Sequence, residues 1–200
     1  MTATKALFDA IRDIKGKPLT QAEVDRINAL FTAPGEPKWL TLAKAEIGVK
    51  ETPGPTSTPR VVAYRKQAGI ELGGDDGVLP WCAIFVIAML RQAGVDTRNA
   101  NAMARSLLNW GQPVDSPIPG AIIVYKSATR PAPLGHTNIA TGRITSTHVE
   151  GVGGNQGDAV SVALFDRKNV LGYRWPLGVP IPSVKPVTIA SGPVKQVSDA

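Results

Sequence analysis

Leu79-Pro80-Trp81-Cys82-Ala83-Ile84-Phe85-Val86 is the stretch on which the fold turns. Pro80 suits the position just before a helix, which places Cys82 in the first turn. The run from Trp81 to Ala93 is apolar on nearly every face, and Gly94 closes it, so the spacing predicts a buried helix. A thiol in a first turn sits at the positive end of the helix dipole, among N–H groups with no partner in the helix. Both effects favour the thiolate, which is the nucleophile. The Cys82 N–H can also donate to a developing oxyanion. Taken alone, the same residue also fits a small buried hydrophobe, the commoner role of a free cysteine.

Upstream, the patterns are helical. Ala6, Leu7, Ala10, Ile11 and Ile14 recur at helical spacing until Gly16 and Pro18 stop them. Thr20 and Glu23 form a capping box that opens a second helix. Residues 1–36 therefore read as a helical hairpin with a linker, the hairpin ending at the turn-rich Ala33-Pro-Gly-Glu-Pro37. Helices are expected from Trp39 to Gly48 and from Arg60 to Gln67. Downstream the period changes. Strands are expected over Gly120–Tyr125, Thr137–Arg143, His148–Val152, Ala159–Phe165 and Val170–Trp175, each bounded by turn residues. Helices followed by short strands predict an α+β domain with an antiparallel sheet over residues 37–176. Residues 177–200, rich in proline, read as a tail.

Composition excludes several classes. The chain has 200 residues, one cysteine and two histidines, which argues against a disulfide framework or a Cys-rich zinc site. No stretch approaches about 18 consecutive apolar residues, so no transmembrane helix is expected. The formal charge of +6 favours polyanionic partners, such as an acidic cell wall. The basic residues are scattered and no nucleic-acid-binding signature appears, so no nucleic-acid partner is expected.

A thiol needs a base. His136, in Leu134-Gly135-His136-Thr137-Asn138-Ile139-Ala140, opens a strand beside a glycine, and a neutral imidazole can take the thiol proton. His148 competes for the role. A third group must hold the imidazole in one tautomer. Asn155, Glu150 and Asp158 are available, and Asn155 in Gly153-Gly154-Asn155-Gln156-Gly157 also suits a plain turn.

These residues together resemble the NlpC/P60 and CHAP superfamily of papain-like cysteine hydrolases that cut peptidoglycan, and a phage-associated, endolysin-like branch in particular. The resemblance is carried by Ala45-Glu46-Ile47-Gly48-Val49-Lys50-Glu51 with Pro53-Gly54, by Pro59-Arg60 and Tyr64, and by Pro80-Trp81-Cys82-Ala83. It continues through Ala104-Arg105-Ser106, Asn109-Trp110-Gly111, Pro119-Gly120-Ala121, Gly135-His136, Gly153-Gly154-Asn155-Gln156 and Leu171-Gly172-Tyr173-Arg174. It runs from about Trp39 to Pro176.

The resemblance implies a papain-like fold, with Cys82 as nucleophile, His136 as base and Asn155 as orienter, Glu150 being the alternative. Trp81, Trp110, Arg105 and Gln156 are then candidate substrate contacts. The implied reaction is hydrolysis of a stem-peptide amide, or of the amide between muramic acid and L-alanine, through a thioester. Where such proteins carry Gly-His-Val, this chain has Gly135-His136-Thr137-Asn138, whose polarity bears on substrate preference. Gly73-Gly74-Asp75-Asp76-Gly77 lacks the alternating ligands of a calcium loop, so no metal and no cofactor is expected. No signal peptide is visible, which fits cytoplasmic synthesis followed by holin-type release or delivery with a virion. A monomer is expected. The competing readings are a catalytically silent wall-binding or tail module, and a papain-like peptidase or deamidase acting on a protein.

Overall fold

A computed structural model describes residues 16–18, 20, 23, 36–52, 57–70, 79–128 and 131–190. The chain divides into two units, Met1–Pro34 and Gly35–Ala200. In the first, the capping box is present in both directions. The Thr20 amide donates to the Glu23 carboxylate at 2.9 Å, and the Glu23 amide donates to the Thr20 hydroxyl at 3.4 Å. The rest of the expected hairpin, and the Gly73–Gly77 loop with Asp75 and Asp76, lie outside the described residues.

The second unit is mixed α and β. Helix α1 (Lys38–Ala45) buries Trp39, Leu40 and Ala43. The Trp39 indole N–H donates to the Gly120 carbonyl at 2.7 Å, and its ring meets Trp175 edge-on. Helix α2 (Pro59–Ala68) begins with proline in its first turn and ends at Gly69 in the left-handed region, φ 60°. Helix α3 (Cys82–Gln92) is buried at every position from Cys82 to Leu90, which is why its sequence shows no polar face. A 3-10 helix, Ala104–Asn109, links these helices to the sheet.

The sheet contains β1 (Gln112–Val114), β2 (Ile122–Lys126), β3 (Gly135–Ile144), β4 (His148–Gly153), β5 (Ser161–Asp166), β6 (Val170–Trp175) and β7 (Val187–Thr188). Strands β2 to β5 form an antiparallel meander. Strand β6 returns to pair with β2, and β1 lies outside it. Strand β2 is buried on both faces, so it reads as a continuous apolar run rather than an alternating one. His136, Asn138 and Ala140 share one face of β3 with Tyr125 and Ile123 of β2. That face continues through Gly151 and Gly153 of β4 to Phe165 and Ser161 of β5.

Three expectations shift. The β2 strand starts at Ile122, because Gly120 adopts φ 91° in a turn. Ala159 and Val160 precede β5 and contact Val49 and Lys50 instead of continuing the strand. Part of the stretch read as a tail is sheet: Val187–Thr188 pairs in parallel with Arg143–Ile144, where the pairing of β3 with β4 is irregular. No helix among the described residues is long and apolar enough to cross a membrane.

Candidate active site

Cys82 is the first residue of α3 and is 4% exposed. No side chain caps this helix and no acidic residue lies in its first turn. The positive end of the dipole therefore faces the thiol without a competing carboxylate. Trp81, just before it, fixes the helix start. Its ring lies between Tyr64 and Phe85, and its indole N–H donates to the Glu51 carboxylate.

Glu46 supports Tyr64 in turn, accepting from the Tyr64 hydroxyl at 2.7 Å and from Arg60 Nε at 2.7 Å. The Arg60 hydrogen bond holds the Glu46 carboxyl below the usual carboxylate range. Burial, reinforced by Glu46, pushes the Tyr64 hydroxyl well above its usual value. The Glu46, Glu51, Arg60 and Tyr64 motif thus builds the support beneath the cysteine.

His136 is buried, stacked on Phe165 at 5.0 Å between centroids and lying 6.0 Å from the Tyr125 ring. Its Nε2 lies 3.1 Å from Oε1 of Gln156. The amide of Gln156 is itself fixed. Its Nε2 donates to the Ser161 carbonyl at 2.7 Å, while Oε1 accepts from Asn138 Nδ2 at 3.1 Å. Asn138 accepts from the Tyr125 hydroxyl at 3.1 Å, and full burial keeps that hydroxyl protonated. With Oε1 fixed as an acceptor, the network assigns the proton on His136 to Nε2. Nδ1 then carries the lone pair.

A shared pocket and one close approach relate the helix to the sheet. Cys82 and Gly135, the residue before His136, line one pocket of about 140 Å3. Its other walls, including Leu79, Ala102, Ala104 and Leu134, are apolar. On the other side Gly154 lies directly against Trp81 and Phe85, where a Cβ would come within 2.3 Å of the indole ring. Gly151 and Gly153 leave the room that the Asn138 and Gln156 side chains occupy. The turn that supplies Gln156 is therefore pressed onto the helix that supplies Cys82.

The remaining candidates fall elsewhere. Asn155 is not the residue that holds His136. It adopts φ 56°, is 4% exposed, and its Oδ1 has no hydrogen-bond partner. Glu150 points away from the Asn138 side of the sheet, accepts from Thr141 at 2.8 Å and lies 3.7 Å from Arg143. Asp158 is an exposed turn residue whose carbonyl accepts from Glu51. His148 bonds Thr147 at the opposite end of β4 from Gly153, roughly 16 Å away at strand spacing.

Trp81 is core and forms no cleft wall, because its ring is enclosed by Tyr64, Phe85 and Gly154. Trp110 is 4% exposed and donates to the Asp96 carbonyl at 2.9 Å, away from the thiol pocket. Arg105 packs its Cγ beside Gly135, and its buried Nε has no partner. Thr137 donates to the Ile123 carbonyl at 2.8 Å and so serves the scaffold, whereas Asn138 holds Gln156.

Sequence reasoning placed Gln156 among substrate contacts and missed it as the partner of His136. A signal was present: asparagine tolerates the left-handed turn geometry of position 155, whereas glutamine has no such turn role. Among the described residues no cluster of three or more His, Cys, Asp or Glu side chains forms a metal-binding group. Comparison with protein-family models and with curated proteins finds no match to this chain.

Proposed function

We propose that this chain is a papain-like cysteine hydrolase of the NlpC/P60 and CHAP type, and that it cuts an amide bond of murein. The observation that carries the reading is the His136–Gln156 hydrogen bond, beside a pocket that Cys82 shares with Gly135. The order Cys82, His136, Gln156 supplies nucleophile, base and orienter.

His136 Nδ1 takes the Cys82 proton, and the thiolate adds to the amide carbonyl. The Cys82 N–H at the start of α3 donates to the oxyanion. The C–N bond then breaks as His136 returns the proton to the leaving amine, giving a thioester. Water, deprotonated by His136, adds to the thioester carbonyl; the C–S bond then breaks, His136 returns the proton to the Cys82 sulfur, and the acid product leaves. The bond is either a stem-peptide amide or the amide between the lactyl group and L-alanine. The small apolar pocket suits an alanine methyl group.

The test is digestion of purified Gram-negative peptidoglycan by the wild type and by Cys82→Ala, with mass spectrometry of the released products. Release by the wild type alone supports the reading, and the new termini name the bond. Equal release by both proteins, or none by either, overturns it.

A further inference from the structure

We propose that a second cavity, distinct from the thiol pocket, is a saccharide subsite that takes the N-acetylated glycan chain carrying the stem peptides; the choice of saccharide rests on the murein reading. The cavity holds about 400 Å3, more than the thiol pocket, and is lined by Asp96, Arg98, Asn99, Asn109, Trp110 and Leu177. None of these residues takes part in the Cys82–His136–Gln156 arrangement.

Its chemistry selects a neutral polar ligand. The one cation and the one anion are paired with each other, Arg98 to Asp96 at 2.6 Å, so the lining has no net charge. Asn99 and Asn109 are exposed and each offers both a donor and an acceptor through its amide. Asn99 adopts φ 73°, a conformation that asparagine tolerates better than most residues. Leu177, 73% exposed, supplies an apolar side. Trp110 forms the wall, its N–H already taken by the Asp96 carbonyl. A nucleic acid would need an excess of cations, and a lipid chain would need an apolar lining. Hydroxyls, an acetamido group and the C–H face of a sugar ring match what is there.

The position also fits. The 3-10 helix Ala104–Asn109 has Ala104 in the thiol pocket and Asn109 in the second cavity. Five steps along such a helix cover about 10 Å. A glycan lying in one cavity can therefore direct a pendant peptide toward the other.

The experiment titrates the full-length 15N-labelled Cys82→Ala chain with tetra-N-acetylchitotetraose and follows amide shifts by NMR. Saturable shifts are expected at Asn99 and Asn109 and at the Trp110 indole N–H. They should vanish in a chain that also carries Asn99→Gly and Asn109→Ala. Glycine keeps the left-handed backbone at 99, and alanine is harmless at an exposed position. Absence of saturable shifts, shifts confined to another surface, or shifts that survive the double substitution would each overturn the subsite.

With Cys82 restored, the double variant should show a KM for polymeric murein raised about 3- to 10-fold, with kcat unchanged. Its cleavage of a soluble stem peptide should match the wild type, and an unchanged KM on the polymer counts against the subsite. A wild type that digests murein without binding the tetrasaccharide leaves the hydrolase reading standing and removes this one. Binding by a chain that digests nothing does the reverse.

Discussion

The Nε2 atom of His136 lies 3.1 Å from Oε1 of Gln156, and this contact determines which ring nitrogen is basic. The glutamine cannot exchange its two ends, because its own Nε2 is held by the Ser161 carbonyl. Asn138, itself fixed by the Tyr125 hydroxyl, supplies a second donor to Oε1. The imidazole is thus oriented by a neutral amide at the end of a buried relay. Two glycines of β4, 151 and 153, make room for it.

If Gln156 orients His136, its loss should act on kcat. Gln156→Ala is expected to lower kcat on murein by about 100-fold or more with little change in KM, since the imidazole loses its tautomer and its aim. Asn155→Gly keeps the left-handed backbone at 155 and should leave kcat within about 3-fold of the wild type. Steady-state kinetics on both variants decides between the two residues. The opposite ranking would return the role to Asn155.

Gly154 is where the turn that carries Gln156 meets the helix that begins at Cys82. A Cβ there would lie 2.3 Å from the Trp81 ring and 2.7 Å from the Phe85 Cβ, neither of which can swing aside. Gly154→Ala should cost about 1–3 kcal/mol of stability through overpacking, read from urea denaturation. Because Trp81 precedes Cys82, activity in the remaining folded protein should fall as well. A variant with wild-type stability and activity would show that the turn and the helix are not tightly coupled.

Thr137 and Asn138 look alike in sequence but face opposite sides of β3. Thr137 donates to a neighbouring strand carbonyl, and Asn138 joins the relay to Gln156. Thr137→Val should cost about 1 kcal/mol of stability and leave kcat and KM unchanged. Asn138→Leu should lower kcat, because Gln156 loses a partner and Tyr125 loses its acceptor. A changed substrate preference in Thr137→Val would contradict this assignment.

The parts of the fold legible in the sequence were those with strong periodicity or punctuation. The α3 helix was marked by its unbroken apolar run and Gly94, α2 by the apolar residues Val61, Val62 and Tyr64, and β6 by turn residues on both sides. Strand β1 has three residues, one of them Pro113, and is held by pairing with β6; no local signal marks it. Val187–Thr188 likewise becomes strand only because the β3–β4 pairing is irregular beside it. The places of Cys82 at a helix start and of His136 near the start of a strand were legible from Pro80 and from the glycine before the histidine. The residue that hydrogen-bonds His136 was not, because Asn155 and Gln156 are adjacent and both buried, and only the folded turn brings the Gln156 amide to the ring. Trp81 was misread because a tryptophan beside a reactive thiol suits a cleft wall, and its burial depends on Tyr64 and Gly154 from distant segments.

Glu46 gives the fold an acid-sensitive support. Its carboxylate accepts from Arg60 and from Tyr64, and the Arg60 bond is the main reason its pKa lies below the ordinary 4.5. The native state therefore binds the proton less readily than the unfolded chain. The resulting stability is complete above the ordinary value and is lost as pH falls through the depressed native one. Tyr64 carries the opposite sign. Burial raises its hydroxyl above the ordinary 10.0, so its contribution is complete below that value and is lost as pH rises past it. At neutral pH, Glu46→Gln should cost about 1–3 kcal/mol, because the charge-assisted bonds are weakened while Arg60 and Tyr64 remain in place. Urea denaturation from neutral pH to well below 4.5 should show the gap between wild type and variant narrowing as the wild-type carboxylate is protonated. A gap that stays constant over that range would mean that Glu46 acts through packing and not through its charge. Tyr64→Phe should leave the acid arm of the curve largely in place and flatten the alkaline one.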